Sequence, residues 1–288
     1  MPSPKEDNNN SGFILHLKYL VALLLAGIIT CNLLIIFSEP NSRHAVSLIV
    51  LGTCASVATA LGVVVVYRYG LKDNHGKSFL FLTLGIGLWL IADLSVMYLY
   101  FVIGLEDQNQ VYLPDVFWLS GYLFLILHLV YAIKSISVKK LSITLVTILV
   151  IIVGFIIFNF FHYISLNLFD DIPKDFLAGE GEGYTRMDLV VTILYPILDL
   201  SLMVPSVLIL VSLFHIYQHS IPWILSSLSL LINSMADIGY SDDFVRGSPG
   251  SWEWDLFYIS DFIVMAGALY WYNKFHVPNS MAHEERHA

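Results

Sequence analysis

Runs of apolar residues, each about as long as a bilayer is thick, alternate with short polar breaks along the whole chain. A helix needs about 20 mostly apolar residues to cross the hydrocarbon core. Eight stretches meet that need, at about 13–37, 45–68, 78–104, 113–134, 141–166, 188–214, 221–241 and 255–273, with Gly, Pro and charged clusters between them. In lipid every backbone N–H and C=O must be paired inside the protein. The pattern therefore predicts an all-α polytopic membrane protein of about eight transmembrane helices.

Composition agrees. The chain of 288 residues is 57% hydrophobic and 13% charged, with a mean hydropathy of +0.73, where a soluble domain carries about a quarter charged residues. The first twelve residues, MPSPKEDNNNSG, lack a cationic segment, and no small-residue cleavage site follows the first apolar run. That run reads as a retained helix rather than a signal peptide. Cys31 and Cys54 lie in apolar segments and form neither a disulfide framework nor a metal spacing. A net charge of −9 argues against nucleic acid as a partner.

Charge also orients the spans. If the N-terminus is cytoplasmic, the cytoplasmic segments hold Lys5, Lys18, Arg68, Lys72, Lys77, Lys134, Lys139, Lys140, Lys274 and Arg286. The outer segments hold only Arg43, Lys174, Arg186 and Arg246, and most carboxylates lie with them. This bias predicts both termini inside, in a cell membrane. Soluble material is limited to a polar N-tail (1–12), a short C-tail (274–288) and an acidic outer loop (167–187) containing GEGEG. His283 and His287 in the C-tail read as solvated residues rather than a metal site.

Two halves of the sequence echo one another. WLIADLSVMYLYF aligns with NSMADIGYSDDF, and PDVFWLSGYLF with WDLFYISDFIV, so Asp93 matches Asp237 and Asp115 matches Asp255. The chain then divides into four-helix units at 13–140 and 141–273, repeated in parallel because four spans preserve orientation. At about 1.5 Å of rise per residue, Asp93 and Asp237 lie at similar depth, roughly 21–22 Å from the inner surface. Asp261 enters from the outer side and Asp199 falls near mid-span, so four carboxylates gather in the outer half of the membrane without a Lys or Arg at their level.

An ionised carboxylate in lipid is costly and marks a polar cavity. A proton store, a cation site, an amine pocket or an acid–base pair would each explain the group; a cation or a proton is the occupant it suits. Asp115 and Asp255 sit where Asp favours the first turn of a helix and read as structural. Trp89, Asn233, Tyr195, Tyr258, Trp118 and Tyr240 are candidate lining residues, and Pro196 and Pro205 invite space beside Asp199. His128, in FLILHLVYAI, reads as a core histidine.

Two families share ordered motifs with the chain. PDVFWLSGY (114–122), YPILD (195–199), Ala236–Asp237 and WEWD (252–255) resemble, over about residues 45–273, the eight-helix sensory modules that precede diguanylate-cyclase and histidine-kinase domains. The resemblance implies a ligand-binding module. No output domain follows the last span, so it further implies signalling through a separate membrane or cytoplasmic protein. Ala92–Asp93, Ala236–Asp237, the Phe124–His128–Tyr131 set and Phe257–Asp261 look like motifs of the lysoplasmalogenases, eight-helix membrane hydrolases. That resemblance implies Asp93 and Asp237 as an acid–base pair activating water, with His128 in support. Its Lys-Pro element has no counterpart in 45–68. A third expectation is an accessory subunit of a larger membrane complex, its carboxylates bridging helices. The leading expectation is a sensory or ligand-binding module whose ligand site comprises Asp93, Asp199, Asp237, Asp261, Trp89, Asn233, Tyr195 and Tyr258.

Overall fold

The computed structural model of the chain describes residues 4–71, 73–105, 113–136, 186–213, 220–245 and 252–276. Among these the protein is all helical, with seven α-helices and no strand. They are α1 (Pro4–Ile36), α2 (Pro40–Tyr69), α3 (Asn74–Tyr98), α4 (Leu113–Ser135), α5 (Arg186–Ser212), α6 (Ile221–Val245) and α7 (Trp252–Phe275). Seven of the eight expected spans are thus helices, within a few residues at most ends. The expected span 141–166 and nearly all of the acidic loop 167–187 lie outside the described residues, as do the C-tail histidines.

Local chemistry sets the ends. Pro40 opens α2, where a missing N–H costs nothing. Gly70 closes it at φ 79, in the left-handed region that glycine enters freely. The Asp73 carboxylate caps α3 by accepting from the Gly76 N–H at 2.8 Å and from the Tyr69 hydroxyl at 2.7 Å. At its far end α3 widens into a π-helical turn, Leu99–Ile103, which Gly104 terminates at φ 76.

Among the described residues six helices are long and apolar enough to cross a membrane: residues 12–36 of α1, α2, α3 with its π turn, α4, and parts of α5 and α6. This makes the chain a multi-pass helical membrane protein. The sequence reading also counted 255–273 as a span, but α7 does not meet the same measure. Glu253, Asp255, Asp261 and Lys274 make it more polar, and it carries them because it packs against α1, α2 and α6.

The packing order positions the site. From α2 to α7 each helix contacts the next, and α7 closes on α2, so the six form a ring. Outside the ring α1 lies against α7 and α2, with Leu24 seated over Gly267 and Asn32 donating to the Ser260 hydroxyl at 3.3 Å. Most of its apolar side chains, such as Leu15, Leu23 and Ile29, remain exposed, as lipid-facing residues would.

The two ends of the ring differ. Where α2, α3, α4, α6 and α7 meet near the ends of α2 and α7, an aromatic plug fills the interior. Phe79 lies 3.9 Å from Tyr272 and 5.0 Å from Trp223 between ring centroids, and the Trp223 ring stacks on His128 at 6.2 Å. All four are buried. Arg68 clamps α2 to α7 on the same side through Asn273 at 2.5 Å. Towards the opposite end, where α2, α4 and α7 begin, the interior is polar.

Candidate functional site

Each helix of the ring contributes to that polar interior, and each does so along one face. The pairs Trp89/Asp93 on α3 and Tyr195/Asp199 on α5 are one turn apart. Asp115, Trp118 and Tyr122 on α4 follow an i, i+3, i+7 spacing, and Ser229, Asn233 and Asp237 on α6 an i, i+4, i+8 spacing. Such spacings place side chains above one another on a helix. On α7, Asp255, Tyr258 and Asp261 descend through successive turns, and α2 supplies Ser47.

The carboxylates form tiers. Nearest the polar mouth, Asp255 accepts from the Ser47 hydroxyl and Asp115 from the Tyr195 hydroxyl at 2.9 Å. Asp93, 7% exposed, accepts from the Trp118 indole N–H at 3.1 Å and lies within electrostatic range of Asp255 and Asp237. In the middle, Asp199 Oδ1 lies 2.6 Å from the Tyr122 hydroxyl. The same hydroxyl is hydrogen-bonded to Asp237 Oδ2, while Asp237 Oδ1 accepts from Tyr258 at 2.5 Å. Deepest is Asp261, 1% exposed, which accepts from Ser229 and sits beside Asn233, still within range of Asp237 and Asp93. Asp199 is wholly buried, whereas Asp237, Asp255, Tyr195 and Tyr258 are only partly so.

Hydrogen-bond accounting shows what this interior lacks. Asp93 Oδ2, Asp261 Oδ2 and Asn233 Oδ1 are buried acceptors with no donor among the described residues, and Asp199 Oδ2 has none but the neighbouring Ser234 hydroxyl. Buried polar atoms are normally paired, and a carboxylate left short of donors is costly. Among the described residues the charged neighbours of Asp93, Asp199, Asp237, Asp255 and Asp261 are further acids. Arg43 stays at the rim, stacked 4.5 Å above the Trp252 ring and donating to the Ile36 and Ser38 carbonyls. Among the described residues no three His, Cys, Asp or Glu are placed to hold a metal ion. The carboxylates meet hydroxyl and indole donors instead.

The sequence-predicted residues Asp93, Asp199, Asp237, Asp261, Asn233 and Tyr258 thus converge on one interior. Tyr195 joins it through Asp115, and Trp89 supports it by donating to the Trp118 carbonyl at 3.1 Å and meeting Tyr122 edge-on at 5.5 Å. Asp115 and Asp255 do lie in first helical turns, but their carboxylates also reach other helices, which the capping reading did not foresee. Tyr122, Ser47 and Ser229 went unrecognised as site residues. The available signal for Tyr122 was its place seven residues after Asp115, on the same helical face.

His128 stands apart. It lies six residues beyond Tyr122 on α4, about 9 Å deeper by helical rise, within the aromatic plug. Its Nδ1 lies 3.0 Å from the Ser78 carbonyl, which can only accept, so Nδ1 carries the hydrogen. The Ser78 hydroxyl donates to the His128 carbonyl at 2.9 Å. These bonds lock α3 to α4. Ser78→Ala should therefore lower stability by about 1 kcal/mol, read as a lower unfolding midpoint in detergent.

Compared with protein-family models, curated proteins and solved structures, the chain finds no match. The functional reading accordingly rests on the chemistry of the ring.

Proposed function

We propose that the chain is a membrane-embedded ligand-binding module of the sensory type. A small cationic ligand enters the carboxylate end of the helix ring, and the resulting change in helix packing is read by a separate membrane or cytoplasmic protein. With the termini cytoplasmic, that end faces outward. The observation carrying this reading is the convergence of Asp93, Asp199, Asp237, Asp255 and Asp261 on one interior whose charged neighbours among the described residues are acids. A primary ammonium group fits best, because it brings positive charge and three N–H donors to acceptors that have none. Trp118, Tyr122, Tyr195 and Tyr258 add aromatic surface of the kind that favours cations.

The aromatic plug supports binding over passage, since it fills the interior beneath Asp261. The ring order also suits a tandem repeat, with α2–α3–α4 followed by α5–α6–α7 and the Asp93/Asp237 and Asp115/Asp255 pairs in corresponding helices. A lysoplasmalogenase-type mechanism finds less support, because the hydrogen bonds of His128 go to Ser78 rather than to Asp93 or Asp237.

The test is thermal unfolding of purified protein in nanodiscs of uncharged lipid, titrated with methylammonium and with tetramethylammonium, which has no N–H. Methylammonium should raise the midpoint, reaching about 2.7 kcal/mol of stabilisation at a hundredfold excess over Kd. Asp237→Asn should abolish the rise, and tetramethylammonium should give less at equal concentration. Equal responses from wild type and Asp237→Asn to a wider panel of amines and inorganic cations would remove the proposal.

A further inference from the structure

The middle tier poses a problem of hydrogen supply. The Tyr122 hydroxyl contacts Asp199 Oδ1 on α5 and Asp237 Oδ2 on α6, yet a phenol carries one hydrogen and can donate it to only one of them. The second contact needs a hydrogen on the carboxyl oxygen itself, with the phenolic oxygen accepting. The other Asp237 oxygen is already served by Tyr258, and the Ser234 hydroxyl beside Asp199 cannot place a hydrogen between Tyr122 and either carboxyl oxygen. The two carboxyl groups also lie within hydrogen-bonding reach of one another, where two bare charges would repel.

Two arrangements satisfy the row of oxygens. In one, Asp237 is the acid and donates to Tyr122, which donates to Asp199. In the other, Asp199 is the acid and the direction reverses. They interconvert when the Asp237 O–H bond breaks as a Tyr122 O–H bond forms, while the original Tyr122 hydrogen passes to Asp199. No charge is created, and one proton has moved from α6 to α5.

We infer that Asp199, Tyr122 and Asp237 hold one shared proton, and that a cation binding in the ring displaces it. This inference rests on the proposed cationic ligand. Two carboxylates with one proton carry a net charge of −1; two carboxylates with one ammonium also carry −1. Exchange therefore leaves the buried charge unchanged, whereas adding an ammonium without losing the proton would alter the balance of a buried interior. The displaced proton leaves as H⁺ through the partly exposed mouth.

Among the described residues the other titratable groups facing the triad are Asp93 on α3, Asp115 on α4, Tyr195 on α5, Tyr240 on α6, and Asp255, Tyr258 and Asp261 on α7. From α2 the contact is Ser47, which does not titrate, with Arg43 at the rim. One proton released per cation also makes methylammonium affinity rise about tenfold per pH unit wherever the triad is protonated.

Two readouts on the full chain in uncharged nanodiscs test this. In weakly buffered solution with a pH indicator, methylammonium chloride should release one proton per bound cation from wild type. In infrared spectra at neutral pH, wild type should show a protonated-carboxyl carbonyl band. Asp199→Asn and Asp237→Asn should each lose the same one-group share of that band, because an amide N–H supplies the missing hydrogen in either place. Methylammonium binding without proton release, with the band unchanged in both variants, overturns the inference and leaves the proposed ligand standing. A band lost in both variants with no methylammonium binding retains the stored proton but overturns the exchange, together with the proposed ligand.

Discussion

Tyr122→Phe should destabilise the protein by about 3 kcal/mol and weaken methylammonium binding by at least tenfold. Both effects follow from the position of Asp199. It is wholly buried, its Oδ1 is hydrogen-bonded to Tyr122, and its Oδ2 has no partner among the described residues beyond the nearby carboxyl of Asp237 and hydroxyl of Ser234. Removing one hydroxyl therefore takes away the donor that made a buried carboxylate tolerable. Stranding a buried acceptor costs about 1–3 kcal/mol, and more when it is charged. Asp237 loses less because Tyr258 still donates to it. The protein's cheapest response is to protonate Asp199, which removes negative charge from the interior and with it affinity for a cation. The check is a pair of unfolding curves with a control. Asp199→Asn in the Tyr122→Phe background should recover part of the lost stability, since a neutral amide needs no charge compensation, and the two changes should be non-additive. If the double variant is as unstable as the sum of the singles, the loss comes from packing of the ring rather than from the stranded carboxylate.

How far the sequence reveals such a site depends on which interactions lie within one helix. The spans were legible because lipid demands long apolar runs, and Asp93, Asp199, Asp237 and Asp261 stood out because such runs seldom carry charge. Depth along each helix followed from the rise alone, so their gathering towards one end of the bundle could be read in advance. What could not be read was lateral order, namely that α7 closes on α2 and turns a row of helices into a ring. Tyr122 was missed for a related reason. Tyrosine is common in membrane helices and usually marks an interface; only the juxtaposition of α4 with α5 and α6 makes its hydroxyl a bridge. The polar residues of α7 did not keep it from being counted as a span, but their partners stayed hidden. Its carboxylates reduce its hydropathy as a span, and only the neighbours α2 and α6, with Ser47 and Ser229, show that they are paired inside the bundle. The aromatic plug was equally hidden, since Phe79, Trp223 and Tyr272 come from three helices far apart in sequence.

The second large effect is expected at a residue with no chemistry of its own. Gly121→Leu should prevent a stable ring from forming, and Gly121→Ala should cost about 2–3 kcal/mol, at the upper end of overpacking penalties. At Gly121 α4 crosses α3 so closely that a Cβ would lie 3.1 Å from the Gly85 carbonyl oxygen and 2.5 Å from Trp89 Cδ1. The carbonyl can retreat only if the helices separate, and small residues at membrane helix crossings exist to allow such approach. Trp89 is also poorly free to yield, because its indole N–H is held by the Trp118 carbonyl and its ring packs edge-on against Tyr122. Moving Trp89 would therefore disturb the two α4 residues that serve Asp93 and the Asp199–Asp237 pair. Binding should fail in Gly121→Ala even where the protein still inserts. Gly87→Ala is the control: it lies on the same helix as Trp89, and the nearest atom to its added carbon, Thr59 Cγ2, is at an ordinary 3.8 Å. That substitution should leave the unfolding midpoint unchanged or slightly raised, as the helix propensity of alanine exceeds that of glycine. Equal tolerance of alanine at both positions would mean that the α3–α4 crossing does not set the geometry of the carboxylate tiers.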